Sequence, residues 1–110
     1  MRRGEVHWVD FEPPDHRRPA VILTRDSAIG YLNALTVAAV TTTIHRVPSE
    51  VLLGPEDGLP APCVINLYNL QTAPKSKIGA LIASLSEDKL VQMEAALLFA
   101  LDMEQYRRRE

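Results

Sequence analysis

Two short apolar runs limit what this chain can become. Ala20-Val21-Ile22-Leu23 follows directly on Arg17-Arg18-Pro19, and residues 35–40 run into Thr41-Thr42-Thr43. Runs of this length, rich in β-branched residues and bounded by turn formers, predict strands of a buried sheet. Each run carries polar groups at one end. One opens on a cation whose planar fork suits phosphate or carboxylate, and the other closes on hydroxyl donors. Two adjacent strands hold such groups rigidly and aim them at one point. The natural target of that arrangement is a phosphodiester.

The rest of the chain predicts more strands and one long helix. Residues 5–11 form a first strand, which Glu12-Pro13-Pro14-Asp15 breaks because proline has no amide donor and restricts its predecessor. Residues 20–24 are the second strand. Residues 26–33 are a turn or short helix stopped near Gly30, and residues 35–43 are a central strand. The chain turns at 46–48 and returns over 49–53. Residues 54–62, dense in glycine and proline, read as an exposed loop. Residues 63–69 are a strand, 72–77 a connector carrying Pro74, and 78–83 a last strand. Ser86 then caps a helix that runs to about Met103, with Glu87 and Asp88 in its first turn. Leu90, Met93, Leu97 and Leu101 follow helical spacing, but Val91, Ala95, Leu98 and Phe99 are apolar as well. One core-facing stripe does not need all of these, and the surplus points to a second contact surface such as a homodimer. Tyr106-Arg107-Arg108-Arg109 reads as a solvated, charged terminus. The fold class is mainly β with a C-terminal α-helix, a small SH3-like or Greek-key barrel.

The chain of 110 residues fits a single domain over 1–110. Its formal net charge of −2 excludes a strongly cationic nucleic-acid coat protein but leaves room for a local basic groove. The lone cysteine, Cys63, has no internal disulfide partner and reads as a small buried apolar residue. Arg2-Arg3 leads into Gly4-Glu5 without an apolar segment, and no stretch is long enough to span a bilayer, so the expectation is a cytoplasmic protein with no membrane contact. The histidines and the cysteine are scattered, with no zinc-type spacing, so no metal and no cofactor are expected.

An ordered set of segments carries a resemblance over nearly the whole length. It starts at Arg3-Gly4-Glu5-Val6-His7-Trp8-Val9-Asp10-Phe11 and continues through Arg18-Pro19-Ala20-Val21-Ile22-Leu23 and Thr36-Val37-Ala38-Ala39-Val40-Thr41. Val64-Ile65-Asn66-Leu67, Asn69-Leu70-Gln71-Thr72, Ile78-Gly79 and the helix follow. In this set the chain resembles the MazF/PemK toxins, the ribonuclease half of bacterial toxin–antitoxin pairs. The resemblance implies a small SH3-like barrel, commonly a homodimer, held in check by a MazE-like antitoxin. It implies metal-free cleavage of single-stranded RNA by 2′-hydroxyl attack, leaving a 2′,3′-cyclic phosphate and a 5′-hydroxyl. By position, the catalytic arginine matches Arg18 and the catalytic threonine Thr41. The loop 12–17 is shorter than is typical of the family and stiffened by proline.

Around these two residues, His16, Arg17, Thr43, Asn69 and Gln71 are candidate RNA contacts, since cations, hydroxyls and amides can meet phosphates and base edges. Lys75 and Lys77 would add positive field. Trp8 reads as a core anchor and His7 as structural. Each candidate has a plainer reading: Arg18 as a surface cation paired with Asp15 or Glu12, the threonines as strand formers, the loop histidines as solvated residues. Two non-enzymatic alternatives share the fold: a CcdB-like toxin that binds DNA gyrase, and an inactive SH3-like interaction module.

Overall fold

The computed structural model describes residues 1–107; Arg108 and Arg109 of the expected tail lie outside the described residues. The elements in chain order are β1 (Glu5–Asp10), β2 (Arg17–Ile22), α1 (Asp26–Ile29), β3 (Ala34–Thr41), β4 (Glu50–Leu53), β5 (Cys63–Pro74), β6 (Ile78–Ser84) and α2 (Glu87–Ala100). The strands form one six-stranded antiparallel sheet in the order β4-β5-β3-β2-β1-β6. The sheet curls: Gly58, just past β4, lies against Ala83 of β6, although those strands stand at opposite ends of the order. Gly58 has a φ of 96°, and a methyl group there would meet the Ala83 Cβ at 2.9 Å, so only glycine makes this approach without strain.

Alternation along the strands divides the core in two. One face carries Val6, Val21, Ala38, Val40, Ile65 and Leu67 under α2, which contributes Met93 and Ala96. The other carries Val9, Ala20, Ile22, Leu35, Val37 and Ala73, covered in part by Ile29 of α1 and by Phe11. Each fully buried valine, leucine or isoleucine here contributes roughly 1.5–3 kcal/mol by leaving water. Ser86 Oγ accepts from the Lys89 amide at 3.3 Å, the expected cap, and Lys89 Nζ donates to the Leu52 carbonyl at 2.7 Å, which ties the helix to β4.

The structure redraws several expected boundaries. β2 begins at Arg17, so Arg17, Arg18 and Pro19 lie within the strand and pair with Asp10, Val9 and Trp8. Pairing with β3 nevertheless stops at Ala20↔Ala39, next to Pro19, which has no N–H to offer a second neighbour. β3 ends at Thr41, so Thr42 and Thr43 fall outside it. β5 runs without a break to Pro74 because β4 pairs only with its first half; the open edge beside the second half tolerates proline. Leu59 is buried, so the 54–62 loop is anchored in the core. The long helix stops at Ala100, where Asp102 takes a left-handed φ of 54°; the Met103 and Asp102 amides donate to the Leu98 and Phe99 carbonyls. That is a Schellman stop with aspartate in the usual place of glycine.

Candidate active site

Strand register puts four of the expected residues on one face. Val9, which belongs to the smaller core cluster, pairs with Arg18 and so shares its side of the sheet. Val37 of the same cluster pairs with Gln71, and Asn69 lies two residues along β5 from Gln71. Ala20 and Ala39 form the last β2–β3 pair on this side, and alternation puts Arg18 and Thr41, two residues further along each strand, on the same side. Both alanines are fully buried, so the polar residues sit at the margin of the packed core.

The β3–β5 register slips between Ala38↔Leu70 and Val40↔Ile65, so residues 66–69 bulge from the ladder. A bulge of this kind re-aims side chains beside a site. It leaves Asn69 against Gln71, whose Nε2 donates to Asn69 Oδ1 at 3.1 Å and to Asp15 Oδ2 at 3.4 Å. The other Asp15 oxygen lies 3.6 Å from an Arg18 guanidinium nitrogen, and both side chains are about one third exposed, at 32% and 33%. Arg18, Asp15, Gln71 and Asn69 therefore form one continuous polar chain. A half-exposed pair of this sort adds at most about 1 kcal/mol to stability. Thr41 Oγ1 accepts from the Thr43 amide at 3.2 Å, which leaves its own proton free to donate outward.

The hairpin between β1 and β2 closes over this face. The Phe11 amide donates to the His16 carbonyl at 2.8 Å, and His16 adopts a φ of 52°. Beside it lies a hollow of about 260 Å³ walled by Phe11, Pro13, Asp15, Gln71, Ala73 and Lys77. Asp10 and Glu12 also line it, so the surroundings are of mixed charge rather than uniformly basic.

Other expected contacts are placed elsewhere. Arg17 alternates to the opposite face, where its guanidinium lies 4.9 Å from the centre of the Trp8 ring. Trp8 is not a core anchor: it is 36% exposed and sits beyond the rim of the core under that cation. Thr43 and His16 are exposed at the ends of their turns, and only the backbone of Thr43 engages Thr41. His7 is structural, buried with its ring nitrogens 2.9 Å from the Gly79 carbonyl and 2.9 Å from Glu5 Oε1. The hydrogen bond with His7 is the main cause that holds the Glu5 carboxyl below its ordinary value. Cys63 is buried, and burial pushes its thiol up, as suits an inert core residue. The participant that sequence reasoning undervalued is Asp15, taken only as a surface partner; its second bond, to Gln71 on a strand distant in sequence, left no signal in the chain.

A curled antiparallel sheet with one C-terminal helix, bearing Arg18 and Thr41 on one face with Asp15, Asn69 and Gln71 beside them, defines a small β-protein with a polar cluster on one side of its sheet. The chain belongs to the PemK-like, MazF-like toxins of type II toxin–antitoxin systems, whose family profile matches residues 2–101. It is 35% identical over 101 residues to the probable endoribonuclease MazF5 of Mycobacterium tuberculosis, covering 91% of this chain and 92% of that protein. Among solved structures it is similar to the Mycobacterium tuberculosis toxin MazF-mt6, with a TM-score of 0.84 and 31% identity over 91% of this chain and 98% of that one. The fold also matches a mycobacterial endoribonuclease solved in complex with its cognate antitoxin, with a TM-score of 0.83 at 22% identity over 94% and 96% of the two chains. No helix among the described residues is long and apolar enough to cross a membrane.

Proposed function

We propose that this protein is a toxin endoribonuclease that cuts single-stranded RNA without a metal. The observation that carries this reading is that Arg18 and Thr41 share one face of the sheet, each two residues beyond the last β2–β3 pair, in a chain whose relatives are named endoribonucleases. The ribose 2′-hydroxyl attacks the adjacent phosphorus, the P–O5′ bond breaks, and the products are a 2′,3′-cyclic phosphate and a 5′-hydroxyl. Arg18 stabilises the extra negative charge of the pentavalent phosphorus, and Thr41 donates a further hydrogen bond to a phosphoryl oxygen. Asn69, whose carbonyl is taken by Gln71, offers its amide hydrogens to a base edge. Arg17 with Trp8, on the far face, and the exposed His16 and Thr43 would meet flanking nucleotides.

The partner is an antitoxin that covers this cleft and competes with RNA, and the working form is a homodimer. The protein acts in the cytoplasm, where its RNA substrate is. The experiment that tests the chemistry uses paired RNAs, one all-ribose and one with a single 2′-deoxy nucleotide 5′ of the cut bond, each with and without EDTA. The all-ribose strand is cut in EDTA and the deoxy strand stays whole, because the nucleophile is that hydroxyl. Cleavage of the deoxy strand, or loss of activity in EDTA, overturns the mechanism.

A further inference from the structure

Attack by a 2′-hydroxyl requires a group that takes its proton, and neither Arg18 nor Thr41 is suited to that. Arginine stays protonated at any working pH, and a threonine hydroxyl is no base at neutrality. Of the histidines, His7 is buried with both ring nitrogens against acceptors. His16 and His45 are exposed, and among the described residues no side-chain hydrogen bond orients either ring. A base in an active site is normally fixed by a third group. Asp15 meets that condition twice: one oxygen faces Arg18 at 3.6 Å and the other accepts from Gln71 at 3.4 Å. Two anchors from different strands hold the carboxylate at the edge of the Arg18–Thr41 face, and a carboxylate has further lone pairs to accept a third hydrogen.

We infer that Asp15 is the general base of this reaction, an assignment that rests on the ribonuclease reading above. As the 2′-oxygen bonds to phosphorus, its proton passes to an Asp15 oxygen. The P–O5′ electron pair stays on the 5′-oxygen, which takes a proton from water, and Asp15 later returns its proton to solvent. The groups facing Asp15 are Arg18 from β2 and the neutral Gln71 from β5; Asp10, Glu12 and Lys77 line the same hollow.

The test compares the parent protein with Asp15→Asn, Asp15→Glu and His16→Ala. Cleavage is measured in single turnover across pH, and binding is measured with RNA carrying a 2′-deoxy cut site. Asparagine keeps the shape and an acceptor for Gln71 but is not a base. The expected result is a rate loss of about 10²-fold or more in Asp15→Asn, the scale of a lost general base, with loss of the acid limb of the pH–rate profile. Binding of the uncleavable RNA stays within a few-fold, Asp15→Glu recovers part of the rate with its acid limb, and His16→Ala keeps that limb. The inference is overturned if Asp15→Asn cuts at near the parent rate, if its loss is matched by an equal loss of RNA binding, or if His16→Ala is the variant that removes the limb. A parent protein that cuts no RNA overturns the ribonuclease reading itself; an active parent with an equally active Asp15→Asn overturns only the role of Asp15.

Discussion

Arg18 and Glu5 show how differently two charged residues on neighbouring strands are used. Arg18 is one third exposed and its ion pair with Asp15 adds little to stability, so its position is explained by what it faces. Arg18→Ala is expected to lower cleavage by ~10²–10³-fold, the scale of losing one transition-state donor, with an unchanged melting temperature. Thr41→Val costs less, because a neutral donor contributes less than a charged one. Rate measurements on folded variants check both; near-normal cleavage by Arg18→Ala would remove it from the chemistry. Glu5, by contrast, serves the fold. Its carboxyl is held below its ordinary value in the folded protein, chiefly by the bond with His7. A depressed folded value means that the charged form contributes stability above the unfolded value, and that this is lost as pH falls through the folded one. The stability advantage of the parent over Glu5→Gln should be full at neutral pH and shrink steadily below about pH 4.3. Urea unfolding at pH 7 and pH 3 measures it, and an advantage that grows on acidification would reverse the sign. At this scale the sequence placed Arg18 and Thr41 near the ends of two strands but could not orient Arg17. A strand opening at Ala20 left that residue's face open, and only the pairing with Asp10 sends it to Trp8.

Strands were legible wherever β-branched runs met glycine or proline, and less so where pairing overrides composition. From the sequence, Pro19 falls outside the expected strand and Pro74 in a connector, yet each sits in a strand at a point where one neighbour has stopped pairing, so the missing N–H costs nothing. The end of α2 is a second case. Sequence signals look for glycine at a helix stop, and the apolar residues beyond Ala100 let the pattern run on to Met103. The actual stop is Asp102 in the left-handed region, a conformation that costs a residue with a Cβ roughly 1–2 kcal/mol, somewhat less for aspartate. Asp102→Gly is therefore expected to stabilise the protein by about 0.5–1 kcal/mol, the part of that strain not offset by the greater freedom of glycine in the unfolded chain. Thermal or urea unfolding checks this directly. A destabilised Asp102→Gly would mean that the aspartate side chain does more for the helix end than its backbone strain takes away.

For the whole molecule, strand order and curl lie beyond the reach of one-dimensional patterns. They depend on the slip between β3 and β5 and on contact between Gly58 and Ala83, which join residues far apart in sequence. The surplus of apolar residues in α2, however, was legible and survives folding. Met93 and Ala96 face the core, while Val91 remains 57% exposed, Phe99 37% and Leu101 50%, and Met103 adds a further 42% beyond the helix. Val91, Ala95 and Phe99 recur at intervals of four and make one outward stripe on the helix. A folded monomer has no use for such a stripe; a second copy of the same helix, related by a two-fold axis, would bury it. We expect a dimer at micromolar concentration in sedimentation equilibrium. Phe99→Glu and Val91→Glu should shift it to monomer without loss of the monomer fold, since neither side chain is buried in the core and each would place two carboxylates across the axis. Arg18 and Thr41 lie on the opposite face of the sheet from α2, so the monomeric variants should leave the proposed catalytic pair intact. Cleavage by these monomers then reports whether one subunit suffices: a rate per subunit equal to the parent's assigns each cleft to a single chain, and a large loss means that RNA must span both. A parent protein that sediments as a monomer, or glutamate variants that remain dimeric, would place the interface elsewhere.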